Sequence, residues 1–361
     1  MQILEASVGD TDWPDAPWEP EIIVDGLWRL RTPMTSEALP WVYAYAFVTG
    51  DGVALYDSGH GTERAQSALE SQLSKLGFNV SDVHTLMISH AHPDHLGMAS
   101  WVKQQSPKCD IAMMAREAKW YSDSSRGSAD WVQQNNHWMI RHGISKSEIT
   151  EGFSTGTNSD KGSADGRDNS WFSKRINADI LLADGQKIDV NGWELQAHWT
   201  PGHTPGHLCV EILDKSMVLT GDHILGRITP NVSLSPEDEE ADRNPLGEFL
   251  DSLIKIRDLG RNRGLPAHEN LIDDLSERCD ELLDHHEKRC EEVMAGIGES
   301  NSATAAMISS RVTWNKPFEG FSIFKKRMAL GETIAHLKYL SDIGKVSSFT
   351  DASENVIWRR I

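Results

Sequence analysis

Residues 89–97, reading SHAHPDHLG, constrain this chain more than any other stretch. His90, His92, Asp94 and His95 stand there in the spacing HxHxDH, directly after the apolar run VHTLMIS. Such a run reads as a buried strand, and a tight turn at its end lets alternate side chains face two neighbouring points. Imidazole nitrogens and carboxylate oxygens are what a divalent zinc ion takes, at about 2 Å. His90 and His92 can then face one ion while Asp94 and His95 face a second. A backbone fixed by a sheet delivers those ligands already positioned. A histidine-rich surface loop is a poor account of three histidines and an aspartate in so short a stretch, straight after a strand.

Each ion needs further ligands, and the chain offers them in similar places. HWTPGHTPGH supplies His203 in a loop after a strand, MVLTGDH supplies Asp222 after another, and GLPAHEN supplies His268 after a short apolar run. With HxHxDH they make a set large enough for two metals. An aspartate between two ions bridges them with one oxygen on each, and a hydroxide is the other bridge. The chemistry expected of such a pair is hydrolysis by that hydroxide at a carbonyl or phosphoryl centre.

Strand and helix signals alternate around these motifs, which predicts a layered α/β domain. Residues 21–57 read as strands with a TGDG hairpin turn. A helix is expected over 62–76, stopped by Gly77, then a strand at 83–89, a helix over 97–105 and a strand at 110–115. Residues 116–180 interrupt the pattern as an insertion. Its segment 152–170, rich in Gly, Ser and Asp, reads as a flexible loop. Trp131, Trp138 and Met139 precede it at helical spacing, either packing on the domain or lining a substrate site. Further helices are expected over 244–260 and 271–297. In 302–361 a short helix, a stronger helix over 328–344 and a hairpin make a winged-helix pattern. The expected division is a catalytic domain over 1–300 and a winged-helix domain over 301–361.

A net charge of −19 disfavours nonspecific contact with nucleic acid or anionic membrane. The charge is uneven, since residues 311–361 hold nine Lys/Arg against five Asp/Glu. No apolar run approaches the roughly 18–20 residues that span a bilayer. No secretory signal is readable, and Cys109, Cys209, Cys279 and Cys290 are scattered without a CxxC pair. Reduced thiols in a cytoplasmic protein are the expectation.

These motifs resemble the metallo-β-lactamase superfamily on its glyoxalase II, lactonase and RNase Z side. WTPGHTPGHLC, GDHIL, LPAHE, DHHEKR and ALGETIAHLKYLSDIGKV resemble a subgroup carrying a C-terminal winged helix, from about residue 20 onward. The resemblance implies an αββα sandwich with that small C-terminal domain. It implies that His90, His92 and His203 hold one metal, Asp94, His95 and His268 the other, and Asp222 bridges. It further implies two zinc ions, with iron or manganese also fitting, and Asp94 placed to orient the nucleophile. Asp57 in LYDSG would support the metal loop by hydrogen bonds, with His207 and His223 orienting the site behind the ligands.

By analogy within that family the substrate is a small ester, thioester or lactone. A true β-lactamase fits less well, because resistance enzymes usually lack a bridging carboxylate at the position of Asp222. The competing reading is an RNA nuclease, on the mildly basic winged helix, against which the net charge stands. A non-enzymatic winged-helix regulator is a third, poorly matched to a full ligand set. Nucleic acid and membrane are not expected partners, and a homodimer is left open. His198, His137, His142, His285 and His286 read as structural or surface residues. Of Tyr43 and Tyr45, one is expected to face either the pocket or the core.

Overall fold

The computed structural model describes residues 18–34, 39–124, 128–154 and 176–361. Beyond Ser154, the loop expected over 152–170 lies outside them. Seven strands form the first sheet in chain order: β1 (Glu21–Val24), β2 (Leu27–Pro33), β3 (Trp41–Thr49), β4 (Gly52–Tyr56), β5 (Val83–Met87), β6 (Asp110–Met114) and β7 (Ile180–Leu182). The pairing is antiparallel to β4 and parallel from β4 to β7. The second sheet holds β8 (Lys187–Val190), β9 (Trp193–Trp199), β10 (Leu208–Ile212), β11 (Met217–Gly221) and β12 (Arg263–Pro266), with β11 and β12 parallel.

β4, β5, β11 and β12 are buried almost throughout, so they read as short apolar runs, whereas β9 alternates and exposes Glu194. In β4, Ala54 and Tyr56 face the space between the sheets, where they meet Leu208, Leu219 and Leu265. Val53 and Leu55 face outward against Leu69 and Leu73 of α1 (Glu63–Lys75) and Val102 of α3 (Ala99–Gln105). The short α2 (Pro93–Leu96) lies between those helices in sequence. Outside the second sheet, Cys209 and Val218 pack under Phe249 and Leu253 of α8 (Pro245–Asp258) and Cys279 and Leu282 of α9 (Leu275–Gly296). The layers are therefore αββα.

Helix ends follow side-chain caps. Thr62 accepts the Ala65 N–H and Asn244 the Gly247 N–H, which fixes α1 and α8 close to expectation. α9 corrects its predicted start at 271: Ile272 pairs with Gly264 as an isolated bridge, and Asp274 caps the helix after it. Between the sheets in sequence, residues 115–154 form α4 (Ala115–Asp123), α5 (Ala129–Arg141) and α6 (Lys146–Ser154), and α7 (Pro236–Glu240) precedes α8.

The C-terminal residues form β13 (Ala303–Thr304), α10 (Ala305–Ser309), α11 (Ile323–Asp342), β14 (Val346–Thr350) and β15 (Val356–Arg360), with the strands ordered β13-β15-β14. Ser322 caps α11, which starts before the expected 328. Leu330, Ile334, Leu337 and Leu340 of α11 join Val346 and Trp358 in the same apolar cluster as α8 and α9. Packing does not break at residue 300. All four cysteines are free, and no helix among the described residues is long and apolar enough to cross a membrane.

Candidate metal centre

The candidate ligands sit in turns at the ends of β5, β9, β11 and β12, where the two sheets open on one side. Asp57, directly after β4, adopts φ 63°, a left-handed conformation that costs a non-glycine residue roughly 1–2 kcal/mol. Its hydrogen bonds hold it there. The buried carboxylate accepts the Ser89 N–H at 2.7 Å, the Ser89 hydroxyl at 2.8 Å and His95 Nδ1–H at 2.8 Å. The turn after β5 is thus anchored to β4, and α2 lifts Asp94 and His95 toward the opening.

His90 Nε2 lies 2.8 Å from His92 Nδ1, which lies 3.1 Å from His203 Nε2. Across from this trio, His268 Nε2 stands 3.3 Å from Asp94 Oδ2, and His95 Nε2 stands 3.6 Å from the same oxygen. Asp222 sits between the groups. Its Oδ1 is 3.4 Å from both His95 Nε2 and His268 Nε2, and its Oδ2 is 3.8 Å from His203 Nε2. All seven predicted ligands are brought together, in sets whose ligand atoms lie within 4.8 Å of one another.

The far side of each ring fixes which nitrogen faces inward. His203 Nδ1–H donates to Asn231 O at 2.8 Å, His268 Nδ1–H to Trp41 O at 3.1 Å, and His95 Nδ1–H to Asp57. That leaves Nε2 of each as the inward atom. His95 Nε2, His268 Nε2 and Asp222 Oδ1 are fully buried and without a hydrogen-bond partner among the described residues. Buried polar atoms left so, converging from three elements, fit a divalent cation of nitrogen and oxygen preference.

Electrostatics separate the two halves. Burial, then the neighbouring imidazoles His95 and His92, hold His90 well below the ordinary histidine pKa, and burial lowers His203. These rings are neutral donors. Burial works the same way on His95 and His268, but there Asp222 and Asp94 prevail, and His268 is raised to about 10. For Asp94 and Asp222 burial is likewise overcome by the facing imidazoles, and both carboxyls stay below the usual range. A metal held by these groups competes with protons for the same nitrogens and oxygens.

Glu117 of α4 carries no motif and escapes a reading of the sequence. It is fully buried, and one oxygen accepts the Ala91 N–H at 2.7 Å. The other accepts the Thr204 hydroxyl and the Gly206 N–H, each at 2.9 Å. One carboxylate therefore ties the His90–His92 turn to the loop bearing His203. His60, also overlooked, is half-buried and close enough to feel the charge of Asp94. His207 Nε2 accepts the Asp222 N–H at 3.2 Å while its Nδ1 lies 2.9 Å from Thr200 Oγ1. Gly221 passes so near that ring, at φ 51°, that a Cβ there would meet Nε2 at 2.6 Å. His223 packs its buried ring 4.7 Å from Phe249 and 5.8 Å from His207.

The duller readings hold for other residues. His198 donates to Glu211 within the second sheet, and His142 lies against Glu239. Tyr45 is in the core with its hydroxyl on Pro266 O, and Tyr43 lies under the Arg29 guanidinium, so neither lines the cavity over the site. That cavity, about 710 Å³, opens over His92, Asp94 and His203. Trp120 of α4, Trp131 and Trp138 of α5, and Phe324, Met328 and Gly331 of α11 wall it.

The sequence profile of the Metallo-beta-lactamase superfamily matches residues 41–268. Lactamase-like protein adaB of Aspergillus niger is 29% identical over 194 residues, which is 51% of this chain and 56% of that protein. An atrochrysone carboxyl ACP thioesterase of Aspergillus fumigatus is 31% identical over 116 residues, 32% of this chain and 33% of that protein. The chain thus matches about half, or a third, of the length of these curated relatives. A solved metallo-beta-lactamase family protein of Thermus thermophilus superposes with a TM-score of 0.73 at 27% identity, covering 94% of this chain and 100% of that one.

Proposed function

Because this chain belongs to the metallo-beta-lactamase superfamily, we propose that it is a metal-dependent hydrolase, a dinuclear enzyme cleaving a carboxylic ester-type bond, a thioester or a lactone. The observation that carries the dinuclear reading is Asp222, whose two oxygens face the two donor groups separately. His90, His92 and His203 would hold one ion, Asp94, His95 and His268 the other. The nitrogen-rich set favours zinc, with iron or manganese fitting the same donors. When bound, the ions supply Lewis acidity for the scissile carbonyl and a water acidic enough to attack near neutral pH.

The protein's own part is positioning and proton handling. Asp94 turns Oδ2 to His268 and His95, which leaves Oδ1 to orient the water. Water oxygen joins the acyl carbon and the C–S or C–O bond breaks, giving a carboxylate, a thiol or alcohol, and a proton. Asp57, Glu117 and His207 keep the ligand turns in place and touch no substrate. A thioester or lactone is favoured over a phosphodiester by the thioesterase relative and by the apolar cavity beside Asp94.

The reading of residues 301–361 as a winged helix is supported by the order β13-β15-β14 packed with α10 and α11. Its role would be to wall the pocket. Several of its cations already meet acidic groups of the same chain, Lys326 with Glu148 and Lys338 with Asp242, which weighs against a nucleic-acid face. The test is a hydrolysis screen of metal-reconstituted protein on acyl thioesters, lactones and single-stranded RNA. Ester hydrolysis with intact RNA is expected. RNA cleavage without ester hydrolysis would replace this reading by the nuclease.

A further inference from the structure

We propose that Glu269 is a positioning residue of the metal centre, a clasp locked by Arg29 that sets His268 against Asp222. The proposal rests on the dinuclear reading and concerns the ion that Asp94, His95 and His268 would hold. It starts from the backbone. Glu269 directly follows His268 and adopts φ 63°, a left-handed conformation that crowds the Cβ of any residue but glycine. Such a conformation persists only where the surroundings over-determine it. Two sets of bonds do so here, one on the main chain and one on the carboxylate.

The main chain is held by the first sheet. Arg29 of β2, a strand that carries no candidate ligand, donates to the Glu269 carbonyl oxygen. Arg29 is buried, with its guanidinium 3.3 Å from the Tyr43 ring centre and 3.4 Å from the Glu21 carboxylate. A buried cation is costly unless its donors are used, which makes its grip on that carbonyl a firm one. The three residues before Glu269 are held in turn by β3. The Tyr45 hydroxyl donates to Pro266 O at 2.7 Å, Tyr43 N–H donates to Ala267 O at 2.8 Å, and Trp41 O accepts His268 Nδ1–H at 3.1 Å. Residues 266–269 are thereby fixed one after another to the first sheet, although β12 belongs to the second.

The carboxylate reaches the other way. Glu269 Oε2 accepts the Arg227 and Ile228 N–H groups, each at 2.9 Å. Those residues continue the segment that leaves β11 through Asp222. From α9, Arg278 holds the carbonyls of the same segment, donating to Leu225 O at 2.8 Å and Ile228 O at 2.9 Å. Gly226 meets the chain just past Glu269, since a Cβ on it would stand 2.7 Å from Asn270 O. The turn bearing His268 and the segment bearing Asp222 therefore move as one unit, which keeps His268 Nε2 at 3.4 Å from Asp222 Oδ1. Glu117 joins the His92 turn to the His203 loop in the same manner. Glycine would adopt the φ of Glu269 without strain, so the carboxylate and not the turn accounts for a glutamate there.

The test titrates the metal-free full chain with zinc against a chelator, for the parent, Glu269→Gly, Glu269→Gln and Arg29→Met, and for Glu269→Gly again with His268→Ala added. The parent should bind two ions. Glu269→Gly should weaken one of them by about 10–100-fold, the usual cost of losing support behind a ligand, and leave the other unchanged. Its metal-free form should melt near the parent's temperature, because glycine relieves the left-handed strain and water takes the acceptor's place at the exposed Arg227 and Ile228. Glu269→Gln keeps one oxygen for both N–H groups and should bind both ions as the parent does. Arg29→Met should weaken the same ion as Glu269→Gly, which carries the test alone where the buried Arg29→Met fails to fold. With His268→Ala the affected ion has already lost its ligand, so adding Glu269→Gly should leave the remaining ion's affinity unchanged. Two ions bound equally by parent and Glu269→Gly, or an equal loss with and without His268, overturns the clasp and leaves the dinuclear reading standing. A single ion in the parent, weakened by Glu269→Gly and restored by Glu269→Gln, overturns the dinuclear reading and keeps the clasp. A single ion unmoved by Glu269→Gly overturns both.

Discussion

Gly206 lies so close to Glu117 that a Cβ on it would stand 2.1 Å from the Glu117 nitrogen, and its N–H is held by Glu117 Oε2 at 2.9 Å. The contact matters because Oε1 of the same carboxylate holds Ala91, between His90 and His92. The backbone partners Ala91 and Gly206 can only donate, and both carboxylate oxygens must accept. Glu117→Gln turns an amide N–H toward a backbone N–H on one side. Support of this kind behind metal ligands is worth about 10–100-fold in affinity. Zinc affinity by chelator competition should fall by that order, and the metal-free protein should also melt somewhat lower, since a buried N–H left facing another costs about 1–3 kcal/mol. Unchanged affinity would reduce Glu117 to a structural carboxylate.

Asp222 should be far more sensitive than the histidine behind it. Asp222→Asn keeps one carbonyl oxygen where two face the two donor groups, so elemental analysis should fall from about two ions per chain toward one or fewer, with activity largely lost. His207→Asn removes the acceptor of the Asp222 N–H and should cost about 10–100-fold with metal retained. If His207→Asn stripped the metal while His203→Asn did not, the ligand assignment in TPGHTPGH would be wrong.

The candidate ligands are legible in the sequence because each sits in a short motif at a strand end, and a strand's direction fixes where its next side chains go. Asp57 is legible for the same reason. Glu117 is not, since its partners Ala91, Thr204 and Gly206 lie 26, 87 and 89 residues away. No local pattern encodes such separations. Tyr43 and Tyr45 show the complementary limit: alternation leaves pocket and core both open to them, and only the packing of β3 over Pro266 and Arg29 says that neither lines the cavity. The apolar stripe of α11 is readable, whereas its second use is not. Met328 belongs to that stripe by spacing, yet it lines the cavity with Phe324.

Acid should loosen the docking of α11. His336 Nδ1–H donates to Glu332 O at 2.8 Å, and His286 Nδ1 meets His336 Nε2 at 3.1 Å. Burial pushes His336 down to about 3 and His286 well below its ordinary value, with Arg289 and His285 adding to the effect. Burial also raises Glu332, beside Arg289, to about 7. For the histidines the unfolded chain binds the extra protons, so their contribution is full above the unfolded value of 6.5 and drains as pH falls. Glu332 opposes this down to its unfolded value of 4.5. The cluster's net sensitivity is then about one proton, or about 1.4 kcal/mol per pH unit, and roughly twice that at lower pH. His336→Leu should flatten the dependence of melting temperature on pH below 6.5 relative to the parent chain. Equal slopes would show that the pair does not titrate on unfolding.

Removing residues 302–361 should cost the rest of the chain its fold before it costs any binding of nucleic acid. Leu330, Ile334 and Leu337 are 0%, 2% and 0% exposed, and they are buried against α8 and α9 as well as against their own hairpin. Fully burying such a side chain is worth about 1.5–3 kcal/mol, so losing several at once rivals the roughly 5–15 kcal/mol that holds a domain together. Polar ties go with them: Ala306 N–H to His142 O at 2.9 Å, and Leu234 N–H to Gly331 O, beside the residue that orients His203. The truncated chain should melt far lower or aggregate. Ile334→Ala, a milder lesion costing about 2–5 kcal/mol, should lower the melting temperature of a protein that still folds. Single-stranded RNA should bind the full chain weakly, and at physiological salt hardly at all, given the net charge of −19. A truncated form that melts unchanged with full esterase activity, beside tight and steeply salt-dependent RNA binding by the full chain, would assign the C-terminal unit to nucleic acid instead.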